Sequence, residues 1–146
     1  MKPKFVFICL LALSLTVSAQ SKIKITKTYE APEAIGPYSQ ALEANGFVFL
    51  SGQIAISPSN NQMVGNNIES QTRQVFRNIN AVLKAAGAKL NNVIKCTVFM
   101  MDLNDFAIMN KIYEEEFGGH KPARSTIQVA RLPKDALIES ECIAVK

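Results

Sequence analysis

The sequence predicts an α+β fold, one sheet with two helices on a single face, from three observations. Several short segments alternate apolar and polar residues with the period of two that a half-buried strand requires. Two longer segments repeat apolar residues at helical spacing. Clusters of glycine, proline, serine and asparagine punctuate the chain between them. In chain order the elements read strand, strand, strand, helix, strand, helix, strand, strand, and one mixed sheet with both helices on one side is the economical way to bury their apolar faces.

Lys22 to Thr28 alternates and reads as a short edge strand with its lysines outward. Ala34-Ile35-Gly36-Pro37-Tyr38 is a bend, glycine supplying an unusual φ and proline fixing the next. Ser39 to Ala44 and Phe47 to Gln53 form a hairpin across Asn45-Gly46, a dipeptide suited to the left-handed turn that such a hairpin uses. The second of these strands ends in Ser51-Gly52-Gln53, and a glycine inside a strand marks close approach of a ligand or another backbone. Residues 57–67 are loop-forming. Asn67 then caps a helix whose Ile68, Thr72, Val75, Ile79, Val82, Leu83 and Ala86 recur at helical spacing until Gly87 stops it.

Val93 to Met101 is nearly continuous in apolar residues, the pattern of a strand buried on both faces. Asn104 or Asp105 caps a second helix with the stripe Phe106, Met109, Tyr113 and Phe117, ended by Gly118-Gly119. After Pro122, Ala123, Ser125, Ile127 and Val129 point one way and Arg124, Thr126 and Gln128 the other. Leu132-Pro133-Lys134-Asp135 is a turn. In the last strand Leu137, Glu139, Glu141, Ile143 and Val145 share one face, with small residues on the other. The sheet face left uncovered carries Phe47, Phe49, Phe99, Ile143 and Val145 among polar residues, which predicts burial against other copies of the chain.

The first nineteen of the 146 residues stand apart from this pattern. Lys2 and Lys4 precede a short apolar run, Phe5 to Val17, and Val17-Ser18-Ala19 offers the small residues that signal peptidase requires. Residues 1–19 therefore read as a signal peptide cut before Gln20, with 20–146 as one exported domain, periplasmic or extracellular. The run is short for a bilayer span, so no permanent membrane anchor is expected. Without Lys2 and Lys4 the formal charge falls from +4 to +2, and no basic cluster interleaved with aromatics remains, which argues against nucleic acid as a partner. Cys9 goes with the leader. Cys96 and Cys142 alternate with apolar or small neighbours and read as core cysteines, with a disulfide between them left open, because it needs close Cα atoms and aligned side chains. His120, in the loop Gly118 to Lys121, is the one histidine, so a metal site lacks ligands and a histidine-based triad would need that loop residue well placed; neither is expected.

Three side chains carry candidate chemistry. Arg124 is a permanent cation near a strand start, able to grip a carboxylate with a two-pronged fork. Glu139 is a carboxylate on another strand, able to act as a base toward water. On spacing alone both also fit solvated polar positions. Asn110 falls on the apolar stripe of the second helix, where an amide either holds backbone or meets a ligand.

Four stretches together resemble the Rid/YjgF family of reactive-intermediate (2-iminobutanoate/2-iminopropanoate) deaminases. They are Ala34 to Ala41, Ser51 to Ile54, Val98 to Phe106, and Pro122-Ala123-Arg124-Ser125 through Ala130 to Asp135 and on to Ile138-Glu139. The resemblance spans essentially all of residues 20–146. It implies a chorismate-mutase-like subunit in a homotrimer with a central barrel, active sites in the clefts between subunits, and no cofactor or metal. The implied reaction is hydrolysis of 2-imino acids to 2-keto acids and ammonia. By resemblance Arg124 anchors the substrate carboxylate and Glu139 orients or deprotonates the attacking water. Tyr38, Asn110, Ser51 and Gly52 line the pocket, with Thr126 standing where many members carry a cysteine. Ser140 follows Glu139 where an apolar residue is usual, which predicts looser packing behind that carboxylate. Two rival functions are an exported trimeric module that binds small carboxylates or keto acids without turnover, and an endoribonuclease.

Overall fold

In the computed structural model, which describes residues 22–146, six strands pair into a single mixed sheet. They are β1 (Lys24–Thr26), β2 (Ala41–Ala44), β3 (Phe47–Ile54), β4 (Val93–Met100), β5 (Ala123–Gln128) and β6 (Ile138–Val145). Their spatial order is β1-β2-β3-β6-β4-β5, with β4 and β5 parallel and every other pair antiparallel. Helices α1 (Ile68–Ala85) and α2 (Phe106–Phe117) cover one face. The predicted leader and its cut before Gln20 lie outside the described residues.

The helices form where their caps and periodicity place them. The side chain of Asn67 accepts the N–H of Ser70 at 2.9 Å, which satisfies one of the donors that a helix start leaves free. Gly118, with φ of 56°, ends α2 in the left-handed conformation and returns its N–H to Glu114. The predicted stripe of α1 is buried, and Phe76 joins it. Phe76 meets Tyr113 edge-on at 5.4 Å and Phe117 at 5.6 Å between ring centroids. Such pairs contribute about 0.5–1.5 kcal/mol each beyond the area they bury, and they hold α2 against α1.

Two strands differ from expectation. In β4 only Val93, Cys96, Val98 and Met100 are fully buried, beneath the helices. Lys95, Thr97 and Phe99 stand half-buried on the opposite face. A near-continuous apolar run thus folds as an alternating strand, because only one face of the sheet is covered within the chain. In β1, shorter than predicted, Lys24 and Thr26 share the helix side with Glu43, while Ile23 and Ile25 are exposed on the other side. Glu43 accepts from Lys24, Thr26 and Lys146 at 3.0, 2.7 and 2.7 Å. This ties the first strand and the last residue of the chain to the same carboxylate.

The open face carries Ile25, Leu42, Phe47, Phe49 and Ile127, each more than a third exposed, together with Phe99, Ile143 and Val145. Ser140 does not loosen the core: it is fully buried and donates to the Thr97 carbonyl at 3.0 Å. Cys96 and Cys142 are core residues with free thiols.

Candidate active site

The predicted residues gather into two groups, on opposite faces of the sheet. Arg124 stands in register with Cys96, and Cys96 with Cys142, on the helix side. Glu139 stands in register with Phe99, and Phe99 with Ile127, on the open side. Because side chains alternate along strands, one chain cannot turn Arg124 and Glu139 toward the same point.

The first group forms where β5 runs beside α2. The guanidinium of Arg124 donates through Nη2 to Oδ1 of Asn110 at 2.7 Å, and its Cζ lies 4.4 Å from the Tyr113 ring centroid and 5.6 Å from that of Phe106. A planar cation stacked on aromatics is pre-organised as a fork. Asn110 is half-buried, and its amide is an orienter of the arginine rather than a brace for backbone. A cleft of about 270 Å³ opens beside it, lined by Tyr113, His120, Lys121 and Arg124 among others. His120 is engaged elsewhere, its Nε2–H donating to the Val93 carbonyl at 2.6 Å. Thr126 lies on the same strand face as Arg124, in register with Val98. Its hydroxyl and that of Tyr113 are buried without a partner among the described residues. Burial pushes the Tyr113 hydroxyl up in pKa, so it stays protonated.

The second group forms at a bulge. Between Leu50 and Gln53 of β3 the pairing with β6 slips, three steps on one strand facing two on the other, from Cys142 to Ser140. The extra residue bends the strand at Ser51-Gly52. Ser51 donates through Oγ to the Ser39 carbonyl at 2.7 Å. A side chain on Gly52 would collide with the carboxylate of Glu139, so glycine is what lets β3 pass that close. Burial, with the like charge of Glu141 behind it, raises the pKa of Glu139 above the ordinary glutamate range. Tyr38, roughly half-exposed, accepts the N–H of Ile35 at its hydroxyl at 3.2 Å and lines a small recess with Gly52 and Ile54.

Buried amides hold this second group, and their role is not apparent from the predicted pattern. Gln40 donates to the carbonyls of Thr28, Ala31 and Pro32 and accepts the Thr28 N–H, fastening the loop that carries Tyr38. On α1, Asn78 donates to the carbonyls of Ile54 and Ile56, Gln74 donates to Asn78, and Gln71 accepts the Leu137 N–H. These amides brace the ends of β3 and β6 beside Glu139. Their spacing along α1 was a usable signal, since Gln71, Gln74 and Asn78 recur at the helical period next to the apolar stripe. Among the described residues no group of three or more histidine, cysteine, aspartate or glutamate side chains is placed to hold a metal ion.

Comparison with known proteins assigns this arrangement to a family. The Endoribonuclease L-PSP family model matches residues 28–146. A RutC family protein of Pyrococcus horikoshii, PH0854, is 56% identical over 119 residues, 82% of this chain and 94% of that one. The 2-iminobutanoate/2-iminopropanoate deaminase of Mus musculus is 44% identical over 123 residues, 84% of this chain and 91% of that one. Among solved structures, E. coli TdcF with bound serine superposes with a TM-score of 0.81 at 44% identity, covering 84% of this chain and 98% of TdcF. The two-layer domain, with its bulged β3 and its arginine beside α2, thus has the chorismate-mutase-like fold, and the chain belongs to the Endoribonuclease L-PSP family, the Rid/YjgF proteins.

Proposed function

We propose that this protein is a hydrolytic deaminase that converts 2-imino acids and their enamine tautomers, such as 2-iminobutanoate and 2-aminoacrylate, to 2-keto acids and ammonia. Its sites lie between the copies of a homotrimer, each completed by Arg124, Asn110 and Thr126 of one chain and Tyr38, Ser51, Gly52 and Glu139 of the next. The observation that carries this reading is the split itself. A pre-organised guanidinium and a carboxylate of raised pKa occupy opposite faces, and the face that bears the carboxylate is apolar and uncovered.

The chemistry needs little more than these groups. Arg124 grips the substrate carboxylate; of the roughly five N–H donors of a guanidinium, the bond to Asn110 uses one. A protonated imine is already electrophilic at C2. Glu139 takes a proton from water as the water oxygen bonds to C2, giving a tetrahedral carbinolamine. Glu139 passes that proton to nitrogen, the C–N bond breaks as the carbonyl forms, and ammonia leaves while the hydroxyl proton returns to the Glu139 carboxylate and is then lost to solvent. A glutamate with raised pKa is a better base for this than an ordinary one. The mouse relative's name supports the reaction.

The serine held by TdcF supports a second reading, a module that captures small carboxylates without turnover. One assay separates the two: 2-iminobutanoate generated in situ, with ammonia and 2-ketobutyrate release followed in the presence of purified protein. Release well above the spontaneous rate is expected. Release at the spontaneous rate, with tight keto-acid binding, would establish the module instead. The family's ribonuclease name is met in the same preparation with an RNA substrate, and cleavage that survives Arg124→Ala would arise outside this site.

Residues 1–19 are, on this reading, an export leader, and residues 20–146 act in the periplasm or outside the cell. Sequencing the N-terminus of protein from separated cell fractions tests this. Full-length protein confined to the cytosol would refute it.

A further inference from the structure

Cys96 on β4 and Cys142 on β6 stand directly opposite each other across an antiparallel pair, both thiols free and both buried, at 0% and 2% exposure. They are the two cysteines of residues 20–146. Paired strands hold directly opposed Cα atoms at about 4.5–5.5 Å and point their side chains to the same face. A disulfide needs about 4.4–6.8 Å. The register therefore meets the distance requirement without movement of the backbone.

From this register we propose that Cys96 and Cys142 form a reversible redox pair, a dithiol in the reduced chain and a cross-strand disulfide after exchange with a low-molecular-weight disulfide. The steps balance. Cys96, as thiolate, attacks one sulfur of the small disulfide, a mixed disulfide forms, and one small thiolate leaves. Cys142 then loses its proton and attacks the Cys96 sulfur, and the second small thiolate leaves. Two protein thiols are oxidised and one small disulfide is reduced to two thiols.

The surroundings order these steps. The adjoining Cys142 thiol, and more weakly the cations of Arg124 and Lys95, hold Cys96 below the ordinary thiol range against the effect of burial. Cys142 is pushed well above that range by Cys96 and by burial. Arg124 stands in register beside Cys96, whereas Cys142 has Leu50 on its other side, so Cys96 is placed as the attacking sulfur and Cys142 as the resolving one. Neither is exposed, so exchange proceeds through local opening of the sheet and is slow. The product is a bridge within one sheet, reopened by the same exchange run in reverse with excess small thiol. It would fasten β4 to β6 directly beneath the register position of Arg124.

The test uses the wild-type protein without residues 1–19, whose Cys9 would add a third thiol, in graded mixtures of oxidised and reduced glutathione, both natively and after unfolding and refolding in the same buffer. Acid quenching, alkylation under denaturing conditions and intact mass follow. Both alkylation sites should be lost together, without retained glutathione, and both should return with excess reduced glutathione. Cys142→Ala should instead keep one glutathione on Cys96, because the resolving sulfur is gone. Two alkylatable thiols in the oxidised arm of both preparations would overturn the proposal. So would a wild-type chain that retains glutathione or cross-links to another chain.

Discussion

Arg124 and Glu139 stand on opposite faces of one sheet, the first in register with Cys96 and the second with Phe99 on the same strand β4. Two residues three positions apart on β4 thus serve as separate backs for the two chemical groups. A shared site needs a second chain, and this has a direct test. Arg124→Ala and Glu139→Ala proteins, each inactive alone, should regain partial activity when denatured together and refolded as a mixture. Some interfaces then combine an intact arginine from one chain with an intact glutamate from the next. Absence of any recovery in mixed assemblies, demonstrated by differently tagged chains, would show that the two groups do not cooperate across copies.

Truncating the anchor should cost more than loosening it. Arg124→Ala removes a charge-paired contact of about 2–5 kcal/mol, so kcat/KM should fall by roughly two orders of magnitude or more. Asn110→Ala leaves the guanidinium but removes the 2.7 Å bond that aims it. About 1.5–3 kcal/mol for a bond to a charged group puts its loss at roughly tenfold to a hundredfold. Steady-state kinetics should show the Asn110 effect mainly in KM. Equal losses from the two variants would contradict the orienting role.

Gly52 should not tolerate a methyl group. The added carbon would meet Glu139 Cδ at 2.8 Å and its carboxylate closer still, so the carboxylate must move. A misplacement of about 1 Å can cost 10²-fold in rate, and Gly52→Ala should lower kcat by roughly that factor while the fold, followed by circular dichroism, stays intact. An enzyme with normal kcat would mean that the carboxylate has room that its neighbours deny it here.

Two glutamates make opposite predictions about acid. The pKa of Glu139 is raised by burial and then by Glu141, so the acid limb of the kcat profile should lie above the ordinary glutamate range. Glu141→Gln should move that limb toward lower pH. Glu43 is the reverse case: bonds from Lys146, Thr26 and Lys24 lower its pKa from 4.5 to about 2. A depressed carboxylate stabilises the fold above its unfolded pKa, and the contribution is lost as pH falls toward the folded value. Thermal midpoints should therefore decline between about pH 4.5 and 2, with a shallower decline in Glu43→Gln. Identical slopes for the two proteins would dismiss the cluster as a source of acid lability.

Much of this molecule is legible in its sequence, and the limits have physical causes. Helix α1 is readable because Asn67, the 3.6-residue stripe and Gly87 agree on its limits. Arg124 and Thr126 are readable as neighbours because strand alternation is local. That Glu139 faces away from Arg124 is not readable, since it depends on how β5 and β6 register on β4, and register is a property of the whole sheet. The one-residue bulge at Ser51-Gly52 leaves only a glycine as its trace. The isoleucines of β1 are exposed where alternation suggested burial, because the covered face there is taken by the Glu43 cluster. Tyr113 looks like an ordinary core aromatic until the guanidinium is seen above its ring.

The open face of the sheet also sets a race. Each chain finishes its own folding with Ile25, Leu42, Phe47, Phe49 and Ile127 still in water. In the proposed trimer their cover arrives in a second, bimolecular event, whose speed depends on how crowded the new chains are. Until then the same surface is sticky toward unlike partners as well as like ones. The yield of native protein is therefore decided partly after the hydrogen bonds of the sheet are complete, by which collision comes first.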